Sequence, residues 1–470
     1  MSKSLLAKYW PIPILFLTVV GLVLFNSWYF VLLPFLTGCV LLSIHNFKAV
    51  FFLLYLAVPL SFDYDLPNGS SVDMFSEPLM IIFSGVFFIL IIPNKFARFN
   101  QLKDLPYYLV ALHLIYLAFS IGFSADSWVS FKYLLAKSWF LISLFFLPSI
   151  LNLTFSDIKK IILLLVVGLL ITILYTSINH AKSGFTFERI SYCSEPFFIN
   201  HVNYSTALGV AFPFLLFLYK EAPRESIERI FLWRGTIIIF LVGIALSYTR
   251  ATWLSIIILP IFIFIFQKKL LKIVFIIAIA AIATVSTYLI QDDNYLKYAP
   301  DYETTVFYRD SFGEHMNATF EMKDVSGMER IYRWIASVKM FADNPIMGVG
   351  PNTFYPNYYN YTVSSFQTYV SDNPEKSTVH NYFLLLLSEQ GIIGFSLFVS
   401  FLFLVINRGY KTYFTEISQS KKNLIIACFG SISILLLHLS LNDLVEVDKI
   451  AAAFFLSCVI LLKIKDIKEG

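Results

Sequence analysis

Long apolar runs, separated by short polar segments, make up most of the chain. A helix needs about 20 mostly apolar residues to cross the roughly 30 Å of hydrocarbon in a bilayer. Runs of this length indicate helices, because only helices and closed barrels satisfy every backbone polar group in lipid. The pattern predicts about 14 membrane spans, with 12 as the lower bound because several runs are short. The predicted spans are roughly 10–26, 28–45, 47–62, 78–93, 106–122, 132–151, 158–178, 201–219, 233–249, 251–267, 270–290, 380–406, 423–441 and 447–464.

One long polar interval, residues 291–379, interrupts this pattern. Its 89 residues include 12 acidic residues, 7 basic residues and 10 of the 27 tyrosines. The chain therefore divides into three predicted parts: 1–290 with about 11 spans, the polar loop 291–379, and 380–470 with about 3 spans and a polar tail. Because so many apolar helices present one polar loop, we expect the chemistry of the protein to take place there.

Lysine and arginine are distributed unevenly between the two predicted sides of the membrane. If the N-terminus is cytoplasmic, the cytoplasmic segments contain 22 of the 35 basic residues, against 6 in the short external segments. The other seven lie in the long loop, whose length exempts it from the positive-inside rule. The bias predicts an all-α polytopic membrane protein with both termini in the cytoplasm and the long loop outside.

Composition excludes a soluble globular protein, since 58% of the residues are hydrophobic and only 14% are charged. We therefore expect the lipid bilayer as the surroundings of the chain and no nucleic acid as a partner. Three cysteines, Cys39, Cys428 and Cys458, lie inside apolar runs, and Cys193 is alone in a polar segment. This arrangement predicts neither a disulfide framework nor a metal site.

The predicted spans contain few ionisable side chains. The exceptions are His113, Lys132, Lys137, Glu389 and His438. Ion-coupled transporters place acids, bases or histidines in mid-membrane and interrupt helices with glycine or proline at their binding sites. Because this pattern is weak here, a transporter is an open alternative that the sequence does not favour.

Arg250 lies in a tight turn between two spans, on the side that the charge bias disfavours. In one interpretation it anchors the helix at the membrane interface together with Trp253. In the other it is a fixed cation at the outer interface, where the phosphate of a lipid-linked substrate would lie. The residues alone leave both interpretations open.

Residues 328–341 are predicted to form an amphipathic helix with Arg330 and Arg333 in its first half. A helix that lies on the membrane with arginines near the lipid headgroups is a common arrangement, so its periodicity does not establish a function. Gly348-Val349-Gly350 follows, but it is a weak candidate for a phosphate cradle because no strand precedes it. The apolar positions of the helix are Ile331, Trp334, Ile335 and Val338, at helical spacing.

His380 begins the first span after the long loop. A histidine at the start of a helix is often only a polar capping residue. With an unperturbed pKa of about 6.5, it is also able to act as a base at external pH.

The acids of Asp63-Tyr64-Asp65 resemble the acid pair that some multi-span glycosyltransferases use to bind a metal ion. No other candidate ligand lies nearby in the sequence. A solvated acidic loop is the simpler interpretation of these residues.

Taken together, the motifs in residues 200–406 resemble the signature of the O-antigen ligase and polymerase superfamily. The order of the motifs and their predicted side of the membrane agree with that family. The matching residues are Asn203, Ser247-x-x-Arg250-Ala251-x-Trp253, Arg330-x-x-x-Trp334, the segment from Asn344 to Phe354, His380-Asn381-Tyr382-Phe383 and Glu389-x-Gly391-Ile392-Ile393-Gly394.

The resemblance implies a glycosyltransferase of the bacterial inner membrane whose active site faces the periplasm. Such enzymes move a glycan from undecaprenyl pyrophosphate to an acceptor hydroxyl, with inversion and without a metal ion or cofactor. The matching positions make His380, Arg250 and Arg330 the expected catalytic residues. Members of the family commonly have about 12 spans, fewer than the 14 counted here. Further residues expected to contact substrate are Arg333, Arg189, Asn203, Trp334 and Asn381.

Physical chemistry agrees with this implied function. Nucleotide sugars are absent outside the cytoplasmic membrane, so the donor must carry its own activation. Arginines keep their charge and bind phosphate in a bidentate manner, so they stabilise a departing pyrophosphate. A histidine base typically adds a factor of about 10²–10⁴ in rate. Four tyrosines of the loop are able to stack on sugars, although packing inside the loop is the simpler interpretation of Tyr355, Tyr358, Tyr359 and Tyr361.

The acceptor is not determined by these residues. A ligase transfers the glycan to a sugar of the lipid A core, a polymerase transfers it to another lipid-linked glycan, and a protein O-oligosaccharyltransferase transfers it to serine or threonine. All three share the same donor site, and a transporter of lipid-linked glycans is the alternative that is not an enzyme.

Overall fold

A computed structural model describes residues 47–65, 71–91, 101–223, 227–291, 294, 325–362 and 377–468. The predicted spans 10–26 and 28–45 lie outside the described residues. So does more than half of the predicted loop 291–379, including all of 295–324 and 363–376.

The described chain consists almost entirely of helices, joined by short loops. A two-stranded antiparallel hairpin follows the first helix. The elements in order are α1 (Phe47–Leu60), β1 (Phe62–Asp65), β2 (Ser71–Met74), α2 (Ser76–Ile91), α3 (Leu105–Ser120), α4 (Ser127–Leu141), α5 (Phe155–Lys182), α6 (Ile190–Ser194), α7 (His201–Glu221), α8 (Ile227–Leu246), α9 (Arg250–Gln267), α10 (Leu271–Ile290), α11 (Val325–Asp343), α12 (Phe354–Tyr358), α13 (Tyr382–Thr415), α14 (Gln419–Leu439) and α15 (Asp448–Lys463).

Eight of these helices are long and apolar enough to cross a membrane: α3, α4 with its continuation to Ile150, α5, α7, α8, α9, α13 and α14. Three more apolar helices are shorter and lie within α1, α2 and α10. The prediction of a helical multi-pass membrane protein is therefore confirmed. The number of 14 spans, the cytoplasmic termini and the external loop remain predictions.

Side-chain caps explain where several of the long helices begin. Asp126 caps α4, Asn200 caps α7 and Asn381 caps α13, each through a side-chain oxygen that accepts backbone N–H groups of the first turn. Thr154 and Asp157 form a reciprocal capping box at the start of α5. Short polar residues between apolar runs thus satisfy the backbone donors that the start of a helix leaves free.

Helices α7, α14 and α15 form the centre of the bundle, and most of their residues are buried. Small residues let α7 approach both α9 and α14 closely: a Cβ on Gly209 would lie 3.0 Å from Thr252 Cγ2, and one on Gly430 would lie 3.2 Å from Pro213 Cβ. Helices α8, α9 and α10 lie at the periphery and expose large apolar side chains, as lipid-facing helices do.

The hairpin β1–β2 is a departure from the all-α prediction. Its strands pair Phe62 with Met74 and Asp63 with Asp73. The Asp73 carboxylate lies 3.5 Å from the buried ammonium of Lys449, at the start of α15. The hairpin therefore fastens the segment between α1 and α2 to the start of α15.

A backbone lock joins the turn after α11 to a kink in α13. Val349 N–H donates to Ser388 O and Gly350 N–H donates to Glu389 O, both at 2.9 Å. The helix kinks at Gly391, whose φ is +62°, and Ile392 N–H donates to Pro345 O at 2.8 Å. This close packing explains why glycine occupies positions 348 and 350 in the turn and position 391 in α13.

The same contacts exclude Gly348-Val349-Gly350 as a phosphate cradle. Gly348 N–H donates to Asn344 O, so all three amide groups already have backbone acceptors. The carboxylate of Glu389 accepts two more amides of the turn, from Asn352 at 2.8 Å and Phe354 at 2.9 Å. The segment is a structural turn, and the N–H groups of Val349 and Gly350 face α13.

Helix α11 confirms the predicted amphipathic helix, but its buried face is not the predicted apolar one. The stripe that contains Val338 is partly exposed, with Val338 itself 46% exposed. The opposite face carries Arg333 and packs against α13, where Ser337 Oγ donates to Leu384 O at 2.8 Å. Arg333 therefore points into the protein and not toward lipid headgroups. The buried side chains of α11 are Tyr332, Arg333, Ala336, Ser337 and Met340.

We expect Gly348→Ala to destabilise the protein by about 3 kcal/mol or more. Its φ is +69°, and an added Cβ would lie 2.3 Å from the backbone carbon of Glu389, which is not free to move. The measurement is thermal unfolding of purified protein in detergent. Gly235→Ala, in α8 with open space around its Cβ position, is the matched control. Equal melting temperatures for the two variants would contradict the tight backbone packing of this turn against α13.

Candidate functional site

His380 lies in the short connection between Val379 and α13, with a left-handed backbone φ of +54°. The imidazole is largely buried, and Asn442 contributes a side-chain hydrogen bond to it. The Nδ1 atom of the ring has no hydrogen-bond partner among the described residues. The residue is therefore not the capping residue of α13, which is Asn381.

Three consecutive residues after α14 form one wall of the site. Asn381 donates from Nδ2 to Ser440 O at 3.0 Å, and Arg330 donates from Nε to Leu441 O at 3.3 Å. Asn442 supplies the contact to His380. The turn 440–442 thus holds the starts of α11 and α13 together.

Two arginines of α11 act on His380. Arg330 and Arg333 are three residues apart, so they lie on the same side of the helix. The pKa of His380 is lowered from 6.5 to about 3, mainly by burial and then by the charges of Arg333 and Arg330. The hydrogen bond with Asn442 has the opposite effect and raises this pKa. His380 is therefore a neutral imidazole at neutral pH, with a lone pair available to accept a proton.

The two arginines differ in access to solvent. Arg333 is 1% exposed, whereas Arg330 is partly exposed. Asp443 lies close enough for the Arg333 guanidinium to stabilise its charge, and it accepts a hydrogen bond from Thr378 Oγ1 at 2.7 Å. Burial nevertheless raises the pKa of Asp443 above its ordinary value.

A partly buried ion pair anchors the connection between α14 and α15 to α4. The Lys137 ammonium lies 2.6 Å and 2.8 Å from the two carboxylate oxygens of Glu446, which also accepts from Tyr133 at 3.2 Å and Tyr382 at 2.7 Å. Burial alone would raise the pKa of Glu446, but the Lys137 charge and its hydrogen bonds lower it below its ordinary value. Tyr382 is two residues after His380, so the pair also steadies that connection.

Three other ionisable side chains of the predicted spans make contacts with neighbouring protein groups. His113 bonds Gln390 Oε1 at 2.7 Å, and Glu389 accepts backbone amides of the turn after α11. Lys132 is exposed, with its ammonium 5.5 Å from the Trp128 ring centre. None of these three contacts forms a chain of titratable groups across the bundle.

Arg250 is the first residue of α9, and Asn203 is buried in the first turn of α7. The two helix starts touch: Thr249 Oγ1 donates to His201 O at 3.4 Å. Trp253 donates its indole N–H to Ile244 O at 2.8 Å, so this ring is bonded within the protein.

Arg189 is exposed in a short 3₁₀ turn, Phe187–Arg189. Its loop packs against the turn before Arg250, where Tyr248 donates to Phe185 O at 2.8 Å. Ser191 Oγ lies 2.7 Å from His201 Nδ1, which ties the loop to α7 as well. Arg189 therefore belongs to the Arg250 side of the site.

His438, in the last turn of α14, lies between α7 and α9. Its ring nitrogens are 3.3 Å from Thr206 Oγ1 and 3.2 Å from Thr252 Oγ1. The predicted site residues thus occupy one end of the bundle in two groups that meet at the end of α14. The first group is Arg330, Arg333, Trp334, His380 and Asn381, and the second is Arg189, Asn203 and Arg250.

Two predicted substrate-binding side chains already have structural roles. Both polar atoms of the Asn381 amide are bonded, one to Leu384 N–H and one to Ser440 O. Trp334 is partly buried against the core. Among the tyrosines considered for sugar stacking, Tyr358 is buried beside Phe354, whereas Tyr359 is 62% exposed.

Three further polar residues near His380, Asn442, Asp443 and Glu446, are not among the residues predicted from the motifs. They lie more than 60 residues after His380, and only the packing of α13 against α14 brings them to it. Their one sequence signal is the concentration of polar residues in the short connection between two apolar runs. In the part of the chain described here, no group of three or more histidine, cysteine, aspartate or glutamate side chains is arranged to hold a metal ion.

The fold and the site define a helical multi-pass membrane protein with arginines and a neutral histidine at one end of its bundle. Residues 235–399 match the family model described as O-Antigen ligase, and this match supports a relation of that part of the chain to the O-antigen ligase superfamily. The matched segment contains Arg250, Arg330 and His380. No curated protein matches the chain. The match supports O-antigen ligase-like glycan transfer in general.

Acidification below pH 6.5 is expected to destabilise the folded protein through His380. Its folded pKa lies below the unfolded value of about 6.5, so the unfolded chain binds the proton first as the pH falls. The contribution of neutral His380 is complete above pH 6.5 and decreases toward pH 3, with a loss of about 1 kcal/mol at pH 5.5.

The measurement is the melting temperature from pH 8 to pH 5 for the wild type and His380→Gln. The wild type should lose more stability than the variant over this range. Parallel curves would show that burial and the arginines do not disfavour protonation of His380.

Proposed function

We propose that the protein is an O-antigen ligase-like glycosyltransferase. It moves a glycan from undecaprenyl pyrophosphate to a hydroxyl of a lipid A core sugar, on the periplasmic face of the inner membrane. The observation that carries this proposal is a neutral His380 beside the guanidiniums of Arg330 and Arg333, in the segment matched by the family model.

His380 is the base of the proposed reaction. The acceptor oxygen attacks the anomeric carbon from the face opposite the pyrophosphate, and its proton passes to the imidazole. The bond between the anomeric carbon and the pyrophosphate oxygen breaks, and undecaprenyl pyrophosphate leaves with the electron pair. This single displacement inverts the configuration at the anomeric carbon.

Arg330 and Arg250 are proposed to hold the pyrophosphate. Guanidiniums make charge-assisted, bidentate bonds to phosphate oxygens and stabilise the charge that develops on the leaving group. Arginine charge supplies the stabilisation that a divalent cation gives in other transferases, so the proposed mechanism includes no metal ion and no cofactor. Arg189 and Asn203 line the Arg250 side, where they would contact the donor.

Burial distinguishes the roles of the two α11 arginines. Arg330 is partly exposed and within reach of a substrate, whereas Arg333 is 1% exposed and faces His380 and Asp443. We therefore propose that Arg330 contacts the donor and that Arg333 sets the charge around the base. Trp334 and Asn381 support this arrangement through packing and capping.

Two other enzymatic functions use the same donor site. A polysaccharide polymerase would transfer the glycan to a second lipid-linked glycan, and a protein O-oligosaccharyltransferase would transfer it to serine or threonine. Transport of a lipid-linked glycan is less well supported, because Lys137, His113 and Glu389 each bond neighbouring segments in the packed bundle.

Arg250→Ala, Arg330→Ala and His380→Ala should each reduce glycan transfer by at least about 10²-fold. The assay uses purified protein in detergent, undecaprenyl-pyrophosphate glycan as donor and rough lipopolysaccharide as acceptor, with EDTA present. Arg234→Ala, on α8 and bonded to Tyr219, is the control for loss of an arginine and should keep wild-type activity. Wild-type rates from any two of the three site variants would refute the assignment.

The products of the same assay identify the acceptor. Glycan attached to lipopolysaccharide supports the ligase. Longer lipid-linked chains would instead indicate the polymerase, and transfer only to an added exported protein would indicate the oligosaccharyltransferase. Product that forms only in the absence of EDTA would contradict the metal-free mechanism.

Arg333→Gln should shift the acid limb of kcat/KM to higher pH. Arg333 lowers the pKa of His380, so its removal raises that pKa, and the base is then protonated at a higher pH. The measurement is the pH dependence of transfer from pH 4 to pH 8. Arg333→Gln with Asp443→Asn controls for the charge left on Asp443. An unchanged acid limb in both variants would show that Arg333 does not act on the base.

A further inference from the structure

We propose that His438 is a positioning residue that holds Arg250 in register with His380 and Arg330. This inference rests on the proposed function, because it concerns the alignment of the two halves of that site. His438 is outside the segment that matches the family model, and it touches the site only through neighbouring residues.

The side chain of His438 joins α14 to the two helices that carry Asn203 and Arg250. It is fully buried, as are both hydroxyl partners. Thr206 is three residues after Asn203 on α7, and Thr252 is two residues after Arg250 on α9. One imidazole nitrogen donates and the other accepts, and a hydroxyl is able to do either, so both bonds form together.

The main chain of His438 closes the turn that forms the other half of the site. Its carbonyl accepts from Leu441 N–H at 3.0 Å and from Asn442 N–H at 2.7 Å. That turn receives Arg330 at Leu441 O and contacts His380 through Asn442. A single residue therefore connects the first turn of α9 with the arginine and histidine of the opposite group.

Close packing leaves little freedom for these elements to adjust. A Cβ on Gly209, one turn after Thr206, would lie 3.0 Å from Thr252 Cγ2, so α7 and α9 already touch beside the imidazole. In a reaction of this kind, misplacement of a group by 1 Å can reduce the rate by about 10²-fold. Loss of the His438 bonds should therefore lower transfer without removing any group that touches substrate.

A pair of amide substitutions separates the two bonds. In His438→Gln the amide reaches the position of Nε2 and keeps the bond to Thr252, whereas in His438→Asn it reaches the position of Nδ1 and keeps only the bond to Thr206. We expect His438→Gln to retain transfer within about 3-fold of wild type and His438→Asn to lose about 10–100-fold. Both rates are measured with undecaprenyl-pyrophosphate glycan, alongside the melting temperature.

Thr252→Val removes the same bond from the other side and conserves shape. Its loss of transfer should match that of His438→Asn. The double variant Thr252→Val with His438→Asn should be no slower than either single variant, because all three lack the same contact between His438 and Thr252. A purely structural effect would instead be additive and would follow the melting temperature. Thr206→Val is the matched control and should remain near wild type.

Several outcomes overturn the inference. Equal rates for His438→Gln and His438→Asn would do so, as would additive losses or a wild-type rate for Thr252→Val at an unchanged melting temperature. If the histidine variants do not fold, Thr252→Val alone decides. A wild-type protein that neither transfers the glycan nor binds undecaprenyl pyrophosphate refutes the proposed function and this inference with it. Normal wild-type transfer with unaffected variants refutes the inference alone.

Discussion

Cationic charge held inside a membrane protein is the constraint on which the functional end of this bundle depends. A buried charge without a partner costs several kcal/mol, so each cation needs acceptors close by. The short connection between α14 and α15 supplies them: Leu441 O for Arg330, Asp443 near Arg333 and Glu446 for Lys137.

Much of the fold was predictable, because apolar runs of span length have no stable alternative to helices in lipid. The orientation of α11 was not. Periodicity identifies an apolar stripe, but in a membrane protein the apolar side is able to face lipid while the polar side faces protein. Arg333 and Ser337 therefore turned out to be buried, while Val338 is exposed. The β1–β2 hairpin was missed because its strands have only four residues each.

The candidate site was predictable only as far as its motifs extend. Arg330 lies close enough to His380 to affect its pKa, and the two residues contact Leu441 and Asn442, which the motifs do not include. Asn442 and Asp443 come from a later helix connection, and spacing along the chain carries no information about that contact. The glycine motifs were found as signatures, but their reason is steric, since Gly348 packs directly on the backbone of Glu389.

The low pKa of His380 has a consequence for the order of events in the proposed reaction. Burial, followed by the charges of Arg333 and Arg330, lowers the pKa of His380, so in the proposed mechanism the imidazole would be a weak base before the donor binds. Binding of the donor pyrophosphate places negative charge beside the arginines, which offsets their effect and raises the pKa of His380 toward its ordinary value. Base strength therefore increases when the activated glycan is present. In the proposed mechanism, the electrostatic interaction that would hold the leaving group would therefore also strengthen the base, and only when the donor is bound.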